Sequence, residues 1–385
     1  MIDFQPSSLL PHEEELRVEV REFVAESFPF GRYLPQLGIN AEASPEFSRR
    51  LGERGWLGMV IPEEYGGPGR TAVERFVVVE ELLVAGAPIS AHWVGDRQTA
   101  PGLLSYGSEE QKRRFLPAIV KGAYFFCLGL SEPESGSDLA SVRTRATRTD
   151  GGWLVNGLKT WTSGAHYADF MVALVRTSPL GDGKHAGLSQ LIIDMRATGI
   201  ATSPIRSLNG FHHFNEVLLE NVFVPDEMVL GEVGAGWHQI TSELAYERSG
   251  PDRFLTTFPV LQYFLAFRGG TGLGPDAERQ IGRLVARYWV LRNLSLSVAR
   301  SLDSGQVPAV EAALVKDVGT VFEQEVVDVL RELTEAEQDP DGDLYDQTLA
   351  EATITAPTFT LRGGTNEVLR TVAAKYLLRT AKGSS

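Results

Sequence analysis

The chain has 385 residues, of which 43% are hydrophobic and 22% charged, and a formal net charge of −14. That length and composition suit two or three packed domains or layers of a water-facing globular protein. The acidic balance disfavours generic binding to nucleic acid or anionic membranes, but a local nest of backbone N–H groups could still hold a phosphate.

The N-terminal stretch "MIDFQPSSLLPHEEELR" lacks a basic segment followed by an apolar core, so no secretory leader is expected. The single cysteine, Cys127, rules out an intrachain disulfide, reads as a buried inert thiol, and fits a reducing, cytoplasmic setting. "EEELRVEVREFVAESF" predicts a helix with Leu16, Val20, Phe23 and Val24 on one face. "SPEFSRRLGERGW" predicts a second, capped by Ser44 with Pro45 at its first position. "IPEEYGGPGR" is a turn-rich connection. "RFVVVEELLVAGAP" is broken by Glu80 and Glu81 and too short to span a bilayer. "YGSEEQKRRFLPAIVKG" starts as a helix at Ser108, with Glu109 and Glu110 in the first turn.

From about residue 126 short β-favouring runs take over, with Asp150-Gly151 and Asn156-Gly157 as hairpin signals. From about 234 the pattern is helical again. In "GWHQITSELAYERSG", Trp237, Ile240, Leu244 and Glu247 fall on one helical stripe, and Gly250-Pro251 ends it. A carboxylate on an apolar stripe is costly to bury unless paired or protonated, and a raised pKa suits a general base. An exposed or salt-bridged glutamate is the plainer reading of Glu247. In "TLRGGTNEVLRTVAAKYL", Gly363 and Gly364 precede a last helix capped by Thr365, with Val368, Leu369, Val372 and Tyr376 on one face. The expected class is α+β. It comprises an N-terminal helical domain (1–125), a middle antiparallel β-barrel or sandwich domain (126–233) and a C-terminal four-helix-bundle domain (234–385).

Two segments carry candidate chemistry. In "LSEPESGSDLASVRTRA", Gly136 flanked by Ser135 and Ser137 allows a tight turn that presents N–H and hydroxyl donors to a phosphate or a polar flavin edge; an ordinary turn is the alternative. In "VNGLKTWTSGAHYADF", Trp161 stands beside Thr162 and Ser163; it is either an aromatic plate for a planar cofactor or a core tryptophan. Other patterns lead nowhere. "DPDGDLYDQTLAE" lacks the Gly and Glu of a calcium loop and reads as a solvated acidic loop; His212-His213 has no companion metal ligands; and "GEVGAGW" enters a helix from a loop, so no metal and no NAD are assigned.

Together, in this order and in a helical–β–helical chain, these segments resemble the acyl-CoA dehydrogenase family. "GWLGMVIPEEYGGPG" and "YGSEEQKRRFLPAIVKG" look like its N-terminal domain, "SEPESGSD" like its flavin loop, "NGLKTWTS" like its tryptophan strand, and "ENVFVPDEMVLGEVGAGW" like the exit from its β domain. The resemblance implies FAD and α,β-dehydrogenation of an acyl-CoA or acyl-carrier thioester. A carboxylate takes the α-proton and flavin N5 takes a hydride from Cβ. It implies that Leu130 and Ser131 contact the pyrimidine edge, Trp161 covers a ring face and Ser163 reaches N5. Gly136 and Ser137 then meet cofactor or CoA phosphate, and Thr365 and Glu367 are C-terminal flavin contacts. Many members carry their catalytic glutamate where this chain has Gly363. A branch resembling isovaleryl-CoA dehydrogenase keeps a small residue there and carries the base on an earlier helix, before an arginine, which points to Glu247 followed by Arg248. Arg248 and Gly363 would then border substrate. The family's Arg-x-x-Phe-Gly and Gln-x-x-Gly-Gly elements, which reach a neighbouring subunit's FAD, have no recognisable counterpart in "LQYFLAFRGGTGLGPDAE" or "VVDVLRELTEAEQDPDGD". This implies a homo-oligomer or a heterotetramer with a paralogous subunit, with electron-transfer flavoprotein or a similar acceptor. A non-catalytic, FAD-sharing subunit and a sister thioester oxidase are the alternatives.

Overall fold

The computed structural model describes residues 2–40, 42–179, 183–269, 272–306, 308–334 and 339–382; the side chains of 40, 242–247 and 379–382 lie outside that description. By contacts the chain forms two units: Met1–Ala41 with Thr71–Pro88 and Ala245–Ser385, and Glu42–Arg70 with Ile89–Leu244.

The first unit is helical. It holds α1 (Pro11–Ser27), α3 (Ala72–Val84), α8 (Phe258–Arg268), α9 (Pro275–Asp303), α10 (Ala309–Leu333), α11 (Leu344–Thr355) and α12 (Asn366–Lys382). Helix α1 buries Leu16, Val20, Phe23 and Val24, the face expected from spacing. Helix α10 packs on α8, α9, α11 and α12. Glu80 and Glu81 do not break α3; both are buried and ion-paired. Arg292 of α9 lies 2.5 Å from Glu80, and Arg21 of α1 lies 2.8 Å from Glu81. No helix among the described residues is long and apolar enough to cross a membrane. The expected acidic loop at 339–351 is only partly a loop. Asp343 accepts from the backbone N–H groups of Tyr345 and Asp346 and so starts α11, while Arg268 pairs with Asp343 and Asp346 at 2.7 Å each. These carboxylates are spent on capping and pairing.

The second unit sets helices α2 (Pro45–Glu53), α4 (Ser90–Val94), α5 (Ala100–Tyr106) and α6 (Glu109–Val120), and most of α7 (Gly236–Glu247), with one sheet. The Ser44 and Ser108 hydroxyls accept from Phe47 and Gln111 N–H, so both expected caps form. The strands are β1 (Phe126–Gly129), β2 (Arg145–Thr149), β3 (Gly152–Ser163), β4 (Phe170–Arg176), β5 (Leu188–Asp194), β6 (Ile200–Arg206), β7 (His212–Pro225) and β8 (Val229–Leu230). Their order is β6-β7-β3-β2-β4-β5-β8, with β1 on β4. The expected antiparallel barrel or sandwich is an open, mixed sheet among the described residues. β1 and β2 each pair in parallel with β4, and the other pairings are antiparallel. Strand β4 is buried along its whole length, as the apolar run Phe170–Val175 requires, with Arg176 buried at its end. Phe115, Phe126, Phe170, Val172 and Ile192 join the core beneath it, and the Cys127 thiol is buried there with its pKa pushed up by desolvation.

The two hairpin signals diverge. Asp150-Gly151 forms the β2–β3 turn. Asn156-Gly157 lies inside β3, at a bulge, where Asn156 Oδ1 accepts from Asn221 N–H at 2.9 Å and Asn221 has φ 52°. Glycine is required at 157 by close approach, because a Cβ there would lie 2.7 Å from Thr144 Cα.

Candidate active site

In the sheet unit, Leu130 and Ser131 directly follow β1, and the Ser131 carbonyl accepts from Thr160 N–H at 2.9 Å. The "SEPESGSD" loop is thereby fastened to the strand carrying Trp161. A second bulge shapes that strand. Lys159 pairs with Val217 and Thr162 with Asn215, so Thr160 and Trp161 face a single residue of β7. Trp161 takes up the extra length at φ 56°, a left-handed conformation that is costly for a bulky residue. Its side chain is 59% exposed and touches Phe214 edge-on at 5.6 Å. The core-tryptophan alternative is therefore excluded. Ser163, half-buried, ends β3 two residues on.

The hydrogen-bonded turn of this loop closes just before Gly136, which lies in the bend that follows. Glu132 and Ser135 exchange backbone hydrogen bonds at 2.9 and 3.0 Å and close the turn before it, and nothing lies within 4 Å of a Cβ added at Gly136. Gly136 and Ser137 are exposed. Arg176, at the end of β4, braces the following segment by donating to the Ala140 and Ala186 carbonyls at 2.9 Å each.

Two residues inside the quoted motifs had no expected role. Lys159 is fully buried and paired with buried Glu132 at 2.9 Å. Burial pulls its ammonium down to about 8 against the pull of Glu132. Burial would raise the Glu132 carboxyl, but Lys159 and the Thr144 and Arg143 bonds outweigh it, so its pKa lies below the usual range. The lone lysine in the β-favouring run of β3 was the available signal, whereas nothing in "LSEPESGSD" separates Glu132 from Glu134.

Behind Ser163, Asn215 donates to the Thr162 carbonyl at 3.0 Å and lies 3.2 Å from His166 Nδ1; its Oδ1 lies 2.7 Å from His212 Nε2. The His166 and His212 rings stack at 4.0 Å. His212-His213 thus belongs to a hydrogen-bonded cluster supporting the tryptophan strand.

In the same unit, Ile240 of α7 is buried with Val142, Leu174 and Leu188, and Trp237 and Leu130 pack against them. The expected stripe of α7 holds over this half. The Leu244 and Glu247 side chains lie outside the described residues; the α7 backbone ends at Glu247.

In the helical unit, Arg248 Nε donates to the Gly363 carbonyl at 3.3 Å, and a Cβ on Gly364 would lie 3.4 Å from Arg248 Nη2. The residue after Glu247 therefore reaches the double-glycine turn. Gly363 and Gly364 have φ 68° and 87°, so two successive left-handed residues explain the absence of side chains. Thr365 caps α12 by accepting from Val368 N–H at 3.4 Å. Glu367 is exposed, and its carboxyl lies below the usual range because its own backbone N–H and then the Thr365 hydroxyl bind it. Lys316, another residue with no expected role, spans the turn: its Nζ lies 3.0 Å from Thr360 O and 2.6 Å from Asn366 Oδ1.

An exposed indole held at a strained φ, with a hydroxyl two residues on and backbone polar groups fastened beside it, suits a planar, hydrogen-bonding cofactor. Residues 11–123 match the N-terminal domain model of the acyl-CoA dehydrogenases, and residues 127–222 match the middle domain model. The acyl-CoA dehydrogenase FadE29 of Mycobacterium tuberculosis is 33% identical over 377 residues, covering 95% of this chain and 96% of that protein.

The chain belongs to the acyl-CoA dehydrogenase family.

Acyl-CoA dehydrogenase FadE34 of the same organism is 36% identical over 87% of this chain; the chain spans about half of that relative's length, 46%. Among solved structures, one described as the Tcur3481-Tcur3483 steroid ACAD is 30% identical with a TM-score of 0.87, covering 96% of this chain and 98% of the other. The ChsE4-ChsE5 complex from Mycobacterium tuberculosis is 32% identical with a TM-score of 0.82, covering 96% and 97%. Acyl-CoA dehydrogenases are FAD flavoenzymes, and the helical–β–helical order of this chain is theirs.

Proposed function

We propose that this acyl-CoA dehydrogenase binds FAD and converts an acyl-CoA thioester to the 2-enoyl-CoA, with Glu247 as the base. The observation that carries the reading is Trp161, exposed and strained at a bulge between Thr160 and Thr162. Trp161 would cover one face of the isoalloxazine, the backbone at Leu130 and Ser131 would meet its polar edge, and Ser163 would hydrogen-bond near the reacting nitrogen. Bound FAD supplies the acceptor for the hydride that leaves Cβ. Glu247 takes the α-proton as the Cα–Cβ double bond forms, so the two hydrogens leave as a proton and a hydride and the thioester is oxidised by two electrons. Gly363 cannot serve as base. The Arg248–Gly363 bond, which brings the residue after Glu247 to that turn, supports Glu247 in its place. Ser137, exposed beyond the Glu132–Ser135 turn, would meet cofactor or CoA phosphate, and Thr365 and Glu367 would supply the C-terminal flavin contacts.

Glu247→Gln tests the reading. The expected variant retains FAD but loses substrate-dependent bleaching of the flavin; full bleaching would remove Glu247 as the base.

A second reading concerns assembly and substrate. The two FAD-reaching elements of homotetrameric members are missing from the sequence, and the two similar structures named above are each described by a pair of proteins. We infer a heteromer in which a paralogous subunit completes the FAD site, acting on a bulky thioester such as a steroid side chain and passing electrons to an electron-transfer flavoprotein. A homotetramer of this chain alone with one FAD per subunit would overturn the heteromer. A thioester panel that favours straight chains would overturn the substrate class. Peroxide release with oxygen alone would favour the oxidase alternative.

A further inference from the structure

We propose that Lys159 and Glu132 are positioning residues for the flavin: their buried ion pair sets the Leu130–Ser131 edge and the Trp161 plate in register with each other. The inference rests on the flavin reading above.

Lys159 is fully buried, and its Nζ lies 3.1 Å from the Leu130 carbonyl, 2.9 Å from Glu132 Oε1 and 2.7 Å from the Leu174 carbonyl. Three acceptors match the three N–H bonds of an ammonium. The Glu132 carboxylate also accepts from Thr144 N–H at 2.9 Å and Arg143 N–H at 2.6 Å. One pair thus joins the end of β1, the Glu132–Ser135 turn, the approach to β2, strand β4 and the bulged part of β3. Lys159 stands two residues before Trp161, and Glu132 directly follows Ser131. The backbone between is clamped, because the Ser131 carbonyl accepts from Thr160 N–H at 2.9 Å.

Stability alone does not call for a buried charge here, since apolar side chains of similar volume commonly serve a core as well. A fixed three-way donor at the Leu130 carbonyl has a use if that backbone must present its polar groups at one place. Removing such a support typically weakens a bound group without dissolving the fold.

The test uses the full chain, together with any partner subunit that co-purifies, and the double variant Lys159→Met with Glu132→Gln, which leaves no unpaired buried charge. Three quantities are measured: the FAD dissociation constant by flavin fluorescence, the visible flavin spectrum, and the thermal midpoint without added FAD. The expected result is FAD binding weakened about tenfold or more, a displaced flavin band, and a midpoint close to that of the wild type. Wild-type affinity and spectrum in the double variant would overturn the positioning role. Should the double variant fail to fold, Glu132→Asp alone carries the test, since it keeps the charge opposite Lys159 while drawing the carboxylate back from the Arg143 and Thr144 N–H groups. Weakened affinity at an unchanged midpoint then supports the proposal, and unchanged affinity overturns it. A wild-type protein that takes up no FAD, alone or with its partner, would instead overturn the flavin reading itself.

Discussion

Trp161 shows how a residue's type can leave its setting undecided by sequence. An aromatic in a β-favouring run next to two hydroxyl residues fits a core as well as a cofactor face. Exposure of 59% and a φ of 56° exclude the core, and both come with the bulge that sets two residues of β3 against one of β7. Such strain persists only where surrounding structure imposes it, and it costs about 1–3 kcal/mol. Trp161→Asn places a residue tolerant of left-handed angles in the same bulge. Urea unfolding should show stability within about 1 kcal/mol of the wild type, or higher, while FAD affinity falls. A loss of several kcal/mol would instead mark Trp161 as a packing residue. Lys159 and Glu132 are the opposite case. Each was visible in a quoted motif, but only the fold makes them a pair across 27 positions of sequence.

The last helix and the turn before it illustrate the element scale. Spacing put Val368, Leu369, Val372 and Tyr376 on one face of α12. The buried line is instead Asn366, Leu369 and Ala373, with Val368 and Val372 exposed by 37% and 38%. The helix is turned toward a polar anchor: Asn366 Oδ1 receives Lys316 Nζ at 2.6 Å and the Thr320 hydroxyl at 3.2 Å, both from α10. Apolar periodicity has no means of weighting a buried asparagine. The double glycine was legible as a demand for unusual backbone, and positive φ at both positions meets it. Gly363→Ala should therefore lower unfolding free energy by about 1 kcal/mol, because a Cβ at φ 68° is strained. Chemical denaturation checks this, and an unchanged midpoint would mean that the turn can relax.

Across the whole molecule, chain order and contact order differ. The sequence reads helical, β, helical, yet α1 and α3 fall into one compact unit with the C-terminal helices. Long-range ion pairs such as Arg292–Glu80 are part of the reason, and the glutamates that seemed to interrupt an apolar run are their partners. The sheet unit also carries an acid sensitivity. His92, beside Ser48 Oγ at 2.8 Å, and His213 are held neutral by burial, each lowered from 6.5 to about 4. Their contribution is complete above pH 6.5, where neither the folded nor the unfolded chain is protonated. Below that, the unfolded chain takes up protons that the folded chain refuses until about pH 4. Stability should fall across this window by about 1.4 kcal/mol per pH unit for each histidine, and level off beneath it for these groups. Unfolding free energies measured from pH 7 to 4 check this. His92→Asn should flatten the slope by about one proton, and an unaltered slope would place the titration elsewhere.

The sequence by itself determined what depends on neighbours in the chain: helix starts at Ser44, Ser108 and Thr365, the β texture after residue 126, the end of α7 before Gly250-Pro251, and the ordered motifs that mark the family. The tertiary structure alone decided what depends on register between distant strands and helices. That includes the bulge that turns Trp161 outward, the Asn156-Gly157 bulge in place of a hairpin, the rotation of α12, and the Lys159–Glu132 pair that links the loop after β1 to the tryptophan strand. Local propensity acts over a few residues, whereas these outcomes are set by where buried polar groups find their partners across the fold.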